Sequence, residues 1–369
     1  MSLKKEKILV VGQTPPPFHG QAIMIENMLK GNYELVRLYH VRMAFSKEIE
    51  DVGKVGVHKI FHLFEVIFKI IYSKIFYGIS TLYFPPTGPN RIPFYRDALV
   101  LIFTRPFFKK VIFHFHGAGI SELYPKLDPL SRFIFRRAYF DADVGIRLSR
   151  YTTDDNEKLK VSNEFIVPYG IQDNFPKHTS VKSISQECTI LFVGLLNESK
   201  GILVLIEACG ILKKKGASFK VNVLGKFESE KFEFTVKALV KKLHLDSEVT
   251  FWGVVTGDQK FAVYASSDMF CFPTYYETES FPVVLLEALS FGLPVVTTRW
   301  RGIPSIINDG INGYLAEIKD PVAIAQKLEL LINDSTHRIS MGQVSRQTFL
   351  EKYTIDKFYT SIEHALTST

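Results

Sequence analysis

The sequence predicts an α/β protein built as two doubly wound parallel-sheet domains facing a central cleft. Three observations carry this. Short apolar runs of strand length alternate with helix-length periodic segments from end to end, the pattern of parallel sheets covered on both faces. Eleven such runs are too many for one tidy sheet. A stretch with Pro, Ser and Lys and no apolar period, Asn174–Glu187, interrupts the chain near its middle. The 369 residues agree with two domains at roughly 150 residues each or somewhat more. The expected division is 1–173 with a returning C-terminal helix in 353–369, a linker over 174–186, and 187–352.

In chain order, the strands of the first half fall at Lys7–Val11, Leu35–Tyr39, Thr81–Phe84, Val111–His116, Val144–Leu148 and Phe165–Pro168. The run Ile8–Val11 is far too short for a signal peptide and reads as a first strand. In the second half they fall at Thr189–Val193, Lys220–Leu224, Val249–Trp252, Met269–Phe272 and Val295–Thr298, with helical periods at Ile202–Lys215, Glu230–Leu243, Pro321–Ile332 and Ile355–Leu366. In Ile60–Tyr77, Phe61, Phe64, Phe68, Ile71 and Ile75 share one face, and the polar stripe of His62, Glu65, Lys69 and Ser73 is narrow. A helix apolar nearly all round is expected to be buried; the sharper reading is a helix partly sunk in a lipid interface.

Composition is ordinarily globular, at 46% hydrophobic and 22% charged residues, which excludes disorder, collagen and coiled coil. Three widely spaced cysteines without a CxxC argue against a disulfide framework or a cysteine zinc site and fit a reducing cytoplasm. No uncharged apolar run of about 18 residues could span a bilayer. Charge is unevenly spread: residues 1–180 hold 25 Lys and Arg against 17 Asp and Glu, whereas 181–369 hold 20 against 21. Residues 54–137 alone hold 13 against 4, with 18 aromatic residues. The first half therefore seeks an anionic partner: a membrane surface, a phosphorylated acceptor or nucleic acid. No RRM-, KH- or HTH-like motif supports nucleic acid.

The most informative stretch is the strand Met269–Phe272 followed by PTYYETESFPVVLLEA, residues 273–288. The loop holds Glu279, and a helix starting near Val283 carries Glu287 one turn in. First-turn amides of such a helix suit a phosphate or diphosphate, and Glu287 could accept bonds from ribose-like hydroxyls. Two solvated surface glutamates are the plainer alternative. In Phe192–Gly201 a strand again ends in a glycine turn and a helix begins, placing Lys200 at a strand's carboxyl end, the usual ligand position. Gly12–Gly20 follows the first strand, and Gly20 allows close backbone approach. In Phe113–Gly117, alternation points His114 and His116 to one face; a zinc reading lacks a third ligand. Neither a Walker A pattern nor a clean GxGxxG occurs.

Together these stretches resemble the retaining, nucleotide-sugar-dependent glycosyltransferases of family 4, which have the GT-B fold of two Rossmann-like domains. The resemblance runs nearly the whole length and is strongest over 189–315. It rests on the E-x7-E pair Glu279 and Glu287, with FVGLLNESKG, FPTYYE, the Gly-Ile-Pro at 302–304, the turn Asn308–Gly313, VPYGI at 167–171 and HFHG. It implies that Glu287 holds the donor ribose, that Glu279 reaches the donor sugar, and that the amides of Ser280, Phe281 and Val283 with Lys200 hold the diphosphate. It places Gly20 and His116 near the reacting sugar from the acceptor-binding domain, 1–173, opposite the donor-binding domain, 187–352. The nucleobase should lie near Gly253 and Val254. No metal and no cofactor beyond the nucleoside-diphosphate sugar is implied; side chains and the helix terminus neutralise charge. The implied activity is sugar transfer to a saccharide or lipid-linked saccharide in bacterial surface polysaccharide synthesis, in the cytoplasm and peripherally on the inner face of the cytoplasmic membrane. Leu195 stands where the family usually has Arg, and Arg299 or Arg301 could replace that cation. Tyr169-Gly170 replaces the usual Asn-Gly. A catalytically weak, nucleotide-binding scaffold subunit and a nucleotide-sugar epimerase are the competing readings.

Overall fold

The structure is a computed structural model that describes residues 5–16, 20–43, 57–117, 119–175 and 187–368, the side chains of 57–60 excepted. Most of the linker stretch 174–186, the start of the basic segment 54–137, and residues 17–19 of the first glycine loop lie outside these residues. The chain forms two compact units, Met1–Tyr169 with Asp356–Thr369, and Gly170–Ile355.

The first unit contains β1 (Glu6–Gly12), α1 (Gly20–Lys30), β2 (Val36–Arg42), α2 (Val57–Tyr77), β3 (Thr81–Phe84), α3 (Arg91–Thr104), β4 (Lys110–Phe115), α4 (Pro129–Tyr139), β5 (Val144–Arg147), α5 (Asp155–Lys158) and β6 (Asn163–Ile166). All pairings are parallel, in the order β2-β1-β3-β4-β5-β6. Ile8–Val11 and Leu82–Phe84 are fully buried, as expected of parallel strands covered on both faces. Asp128 starts α4 by accepting from the Ser131 amide at 3.0 Å, with Pro129 at the first helical position.

The second unit contains β7 (Cys188–Val193), α6 (Ile202–Lys214), β8 (Phe219–Leu224), α7 (Glu230–Lys242), β9 (Val249–Gly253), α8 (Gly257–Ser266), β10 (Met269–Phe272), α9 (Val283–Ser290), β11 (Val295–Thr298), β12 (Gly313–Ala316), α10 (Pro321–Asn333) and α11 (Ser335–Lys352). Its sheet is also wholly parallel, in the order β12-β11-β10-β7-β8-β9. The last helix, α12 (Ile355–Thr367), returns to the first unit, where Glu363 accepts from the Leu35 amide at 2.6 Å and Tyr359 donates to the Asn27 carbonyl at 3.1 Å.

Two readings of the sequence need correction. The edge strand β12 begins at the last residue of the expected turn Asn308–Gly313, where no strand was expected. It has four residues, and Gly313 lies so close to β11 that a Cβ there would stand 2.3 Å from the Val295 carbonyl oxygen. That glycine serves strand approach as well as the turn. The second concerns α2. Its buried side is Val66 and Ile70, but Phe61, Phe64, Phe68 and Ile75 are 61–73% exposed. Packing on one side only was not visible from a period that is apolar all round.

Candidate active site

In an open parallel sheet, ligands gather at the carboxyl ends of strands where the strand order reverses. In the second unit that reversal lies between β10 and β7. Lys200 follows β7 and Glu279 follows β10, so the fold brings them together across 79 positions of sequence. The Lys200 ammonium donates to Oε2 of Glu279 at 2.5 Å, and Thr274 donates to the same oxygen at 3.2 Å. The ammonium also stands 4.3 Å from the ring centroid of Tyr276, a cation–π contact. Glycine makes this junction possible: Gly201 has φ +83°, and a Cβ on it would lie 2.1 Å from the Pro273 carbonyl oxygen.

Glu287 is held by a different set. Lys260 on α8 donates to Oε1 at 2.6 Å, and the Tyr264 hydroxyl donates to Oε2 at 2.9 Å. Burial, with Glu287 beside it, holds the Tyr264 phenol well above its ordinary range. The side chains of Glu279 and Glu287 are 9% and 13% exposed. Both carboxylates are therefore desolvated and paired, and each keeps acceptor capacity for a ligand hydroxyl. The reading of two solvated surface glutamates is set aside.

The start of α9 lies between them. Pro282 precedes the helix, no side chain caps it, and its first turn holds no acidic residue. The Leu285 amide donates to the Pro282 carbonyl at 3.1 Å, the Val283 and Val284 amides ahead of it have no carbonyl of the helix to reach, and the positive end of the helix dipole lies at this start. Ser280 is 4% exposed, and its hydroxyl has no hydrogen-bond partner among the described residues. Phe281 is buried and Val283 opens the helix. Gly253 ends β9 with φ +69° and accepts from the Gly225 amide at 2.8 Å, while Val254 beside it is 70% exposed. Gly225 in turn admits no side chain, since a Cβ would stand 1.8 Å from the Gly194 carbonyl oxygen. Glycines at the ends of β7, β8 and β9 thus bring these three strand ends into close backbone contact.

Of the proposed cations, Leu195 leaves none at its position and is 37% exposed. Arg299 is bound to Asp309 at 3.0 Å, and Arg301 stacks over Trp300. Sequence reasoning missed Lys260, Tyr264 and Tyr276. The first two are spaced i, i+4 on one helix, a spacing that places them on one face but names no partner.

In the first unit, Gly20 begins α1, is exposed, and has open space where a Cβ would stand. His114 and His116 do share a face, stacked with ring centroids 4.0 Å apart, and both are buried. The Tyr83 hydroxyl lies 2.7 Å from Nδ1 of His114 and 3.2 Å from Nε2 of His116, and the Tyr169 hydroxyl lies 2.6 Å from Nδ1 of His116. Complete burial lowers the His114 pKa to about 3, so its ring is neutral. Among the described residues no group of three His, Cys, Asp or Glu side chains could hold a metal ion.

Comparison with known proteins bears on the family and the fold. Residues 174–348 match the family model of the glycosyl transferases, group 1. The chain is 29% identical over 228 residues to the putative colanic acid biosynthesis glycosyltransferase WcaL of Salmonella typhimurium, covering 59% of this chain and 54% of that protein. It is 29% identical over 236 residues to the N-acetyl-alpha-D-glucosaminyl L-malate synthase of Bacillus anthracis, covering 63% and 51%. The chain thus spans about half the length of the curated relatives it matches. The crystal structure of Anabaena Alr3699/HepE in complex with UDP superposes with a TM-score of 0.74 at 15% identity, covering 98% of this chain and all of that one. The resemblance to glycosyltransferases is borne out, and so is the fold class: two Rossmann-like units of the GT-B kind.

Proposed function

We propose, on the premise of that group 1 match, that the chain transfers a sugar from a nucleoside-diphosphate sugar to a saccharide or lipid-linked saccharide with retention at the anomeric carbon. The observation that carries this is the pair of carboxylate–ammonium contacts flanking an uncapped helix start and the unpartnered Ser280 hydroxyl, at the strand-order reversal of the second unit. Such a site suits a diphosphate between two hydroxyl-bearing sugars.

In this reading the ribose hydroxyls donate to Glu287, whose orientation Lys260 and Tyr264 fix. The diphosphate lies on the Ser280, Phe281 and Val283 amides, the Ser280 hydroxyl and the Lys200 ammonium, and the base rests near Gly253 and Val254. Glu279 accepts from donor-sugar hydroxyls. As the bond from the anomeric carbon to the diphosphate oxygen breaks, Lys200 and the helix start stabilise the charge left on the leaving group. The acceptor oxygen forms its bond on the same face, and its proton passes to the departing diphosphate, so no protein base, metal or further cofactor takes part. By the same resemblance Gly20 and His116 are assigned to the reacting sugar, His116 with a catalytic role and Gly20 with a donor-binding one. The acceptor belongs to bacterial surface polysaccharide synthesis, in keeping with the colanic acid relative. The chain works in the cytoplasm, peripherally at the inner face of the membrane.

Thermal unfolding with UDP, GDP or ADP tests the site. One nucleotide is expected to raise the melting temperature, and Glu287→Ala to abolish that rise. An unaltered response in Glu287→Ala refutes this placement of the donor. A second reading, a nucleotide-binding subunit with little activity, is favoured by Leu195 and by the engagement of Arg299 with Asp309. Nucleotide binding without sugar release from any UDP-, GDP- or ADP-sugar would select it.

A further inference from the structure

We propose that the outer face of the helical layer α2–α3–α4 is a docking surface for an anionic lipid bilayer. This deepens the membrane-side location proposed above by naming the surface that holds the chain there. The three helices pack side by side, and their inner sides give Val66, Ile70, Phe94, Leu101, Phe135 and Ala138 to one buried core. Their outer sides present similar chemistry to solvent. On α2, Phe61, Phe64, Phe68, Tyr72, Ile75 and Phe76 are 50–73% exposed. Spacings of three and four residues set them on one stripe, on the far side of the helix from Val66 and Ile70. On α3, Ile92, Tyr95, Leu99 and Phe103 form a second stripe, 39–53% exposed, and on α4 Leu130 and Phe133 are 70% and 59% exposed. An apolar face of this extent marks an interaction surface. In the second unit, exposed apolar residues such as Phe234 and Ile339 are spread over different helices.

Charge selects the partner. From 61 to 137 the chain carries 11 Lys and Arg against 4 Asp and Glu. Among those acids Glu65 is engaged with Lys69 and His62, Asp97 with Arg96, and Asp128 with Ser131 at the start of α4. Lys109, Lys126, Arg132, Arg136 and Arg137 are exposed around the stripes. Aromatic rings flanked by exposed cations fit the boundary between acyl chains and anionic headgroups. A second copy of this face would bring like charges together. Among the described residues no helix is long and apolar enough to cross a membrane, so α2 would lie in the interface. A groove of about 520 Å³ beside α3 and α4 opens in the same layer, its apolar wall including Leu101, Ile102, Phe133 and Ile134 and its polar lining being Arg105, Arg137 and Asp143.

The test is sedimentation of the full chain with phosphatidylcholine vesicles, with and without phosphatidylglycerol. Binding is expected with the anionic vesicles, weakening with salt, and falling ~10-fold or more in Phe64→Glu/Phe68→Glu, as loss of two interfacial anchors should cause. Phe68→Trp should shift its emission to the blue on the same vesicles and supplies a second readout if the glutamate variant does not fold. Absence of binding to anionic vesicles, equal binding by the glutamate variant, or a dimer that the variant dissociates while vesicles do nothing would each overturn the proposal. The nucleotide response of the second unit is a separate measurement: a chain that binds vesicles without binding nucleotide sinks the donor reading alone.

Discussion

The carboxyl ends of the two sheets are built on the same plan and filled with opposite chemistry. In the second unit the strand ends carry charge: Lys200 on Glu279, Lys260 on Glu287, and a helix start without a cap. In the first unit the corresponding strand end is built of rings and hydroxyls: Tyr83, His114, His116 and Tyr169 join in a buried chain, in which the His114 ring is neutral. Burial explains both. A network of rings and hydroxyls can be buried when its polar atoms are hydrogen-bonded to one another. A charged cluster stays only when every charge is paired, and such pairs can exchange partners with an anionic ligand. In the proposed reading the charged end binds and releases the diphosphate, while the other end meets its hydrogen-bonding needs within its own ring and hydroxyl contacts.

The contrast is broken most directly at Lys200. Lys200→Ala should lower sugar release from the donor nucleotide ~10²–10³-fold, the usual loss when one charge-stabilising donor is removed, in a steady-state assay of nucleoside diphosphate formed. A loss below tenfold would mean that this edge does not stabilise the leaving group. The neutral end is sharpened by acid. With a folded pKa of about 3 against an ordinary 6.5, His114 binds its proton more readily in the unfolded chain. Its contribution to stability is therefore complete above pH 6.5 and falls as pH drops from 6.5 toward 3, by at most roughly 5 kcal/mol. Denaturant unfolding across this range should show a shallower slope in His114→Gln.

Smaller effects probe the supports. Gly201→Ala meets both the positive φ and the Pro273 carbonyl, and should cost about 2–4 kcal/mol by denaturant melting. Lys260→Met should raise the donor KM ~10-fold with kcat nearly unchanged, because it loosens Glu287 without touching the leaving group. Equal falls in kcat and kcat/KM would place Lys260 in the transition state instead.

Much of the fold could be read from the sequence because it is local. Apolar runs such as Ile8–Val11 and Thr189–Val193 become parallel strands wherever helices cover both faces. The helix after Pro282 starts where the proline and the apolar period together require. The four-residue strand Gly313–Ala316 escaped notice because it is too short for any period and begins at a glycine. Glu279 and Glu287 were legible as a spacing in one loop and helix. Lys260 and Tyr264, spaced four apart, carried no sign of which carboxylate they would meet.

The sequence by itself determined where all the strands but β12 and several of the helices lie, which half carries the positive charge, and which loop precedes the helix with its two glutamates. Those properties depend on neighbours within a few residues. Only the tertiary structure decided that Lys200 meets Glu279 across the reversal of strand order, that His116 is held by Tyr169, and that the aromatic stripe of α2 faces outward. Each of these depends on which surface packs against which, and two faces of equal hydrophobicity give a sequence no means of saying which will be covered.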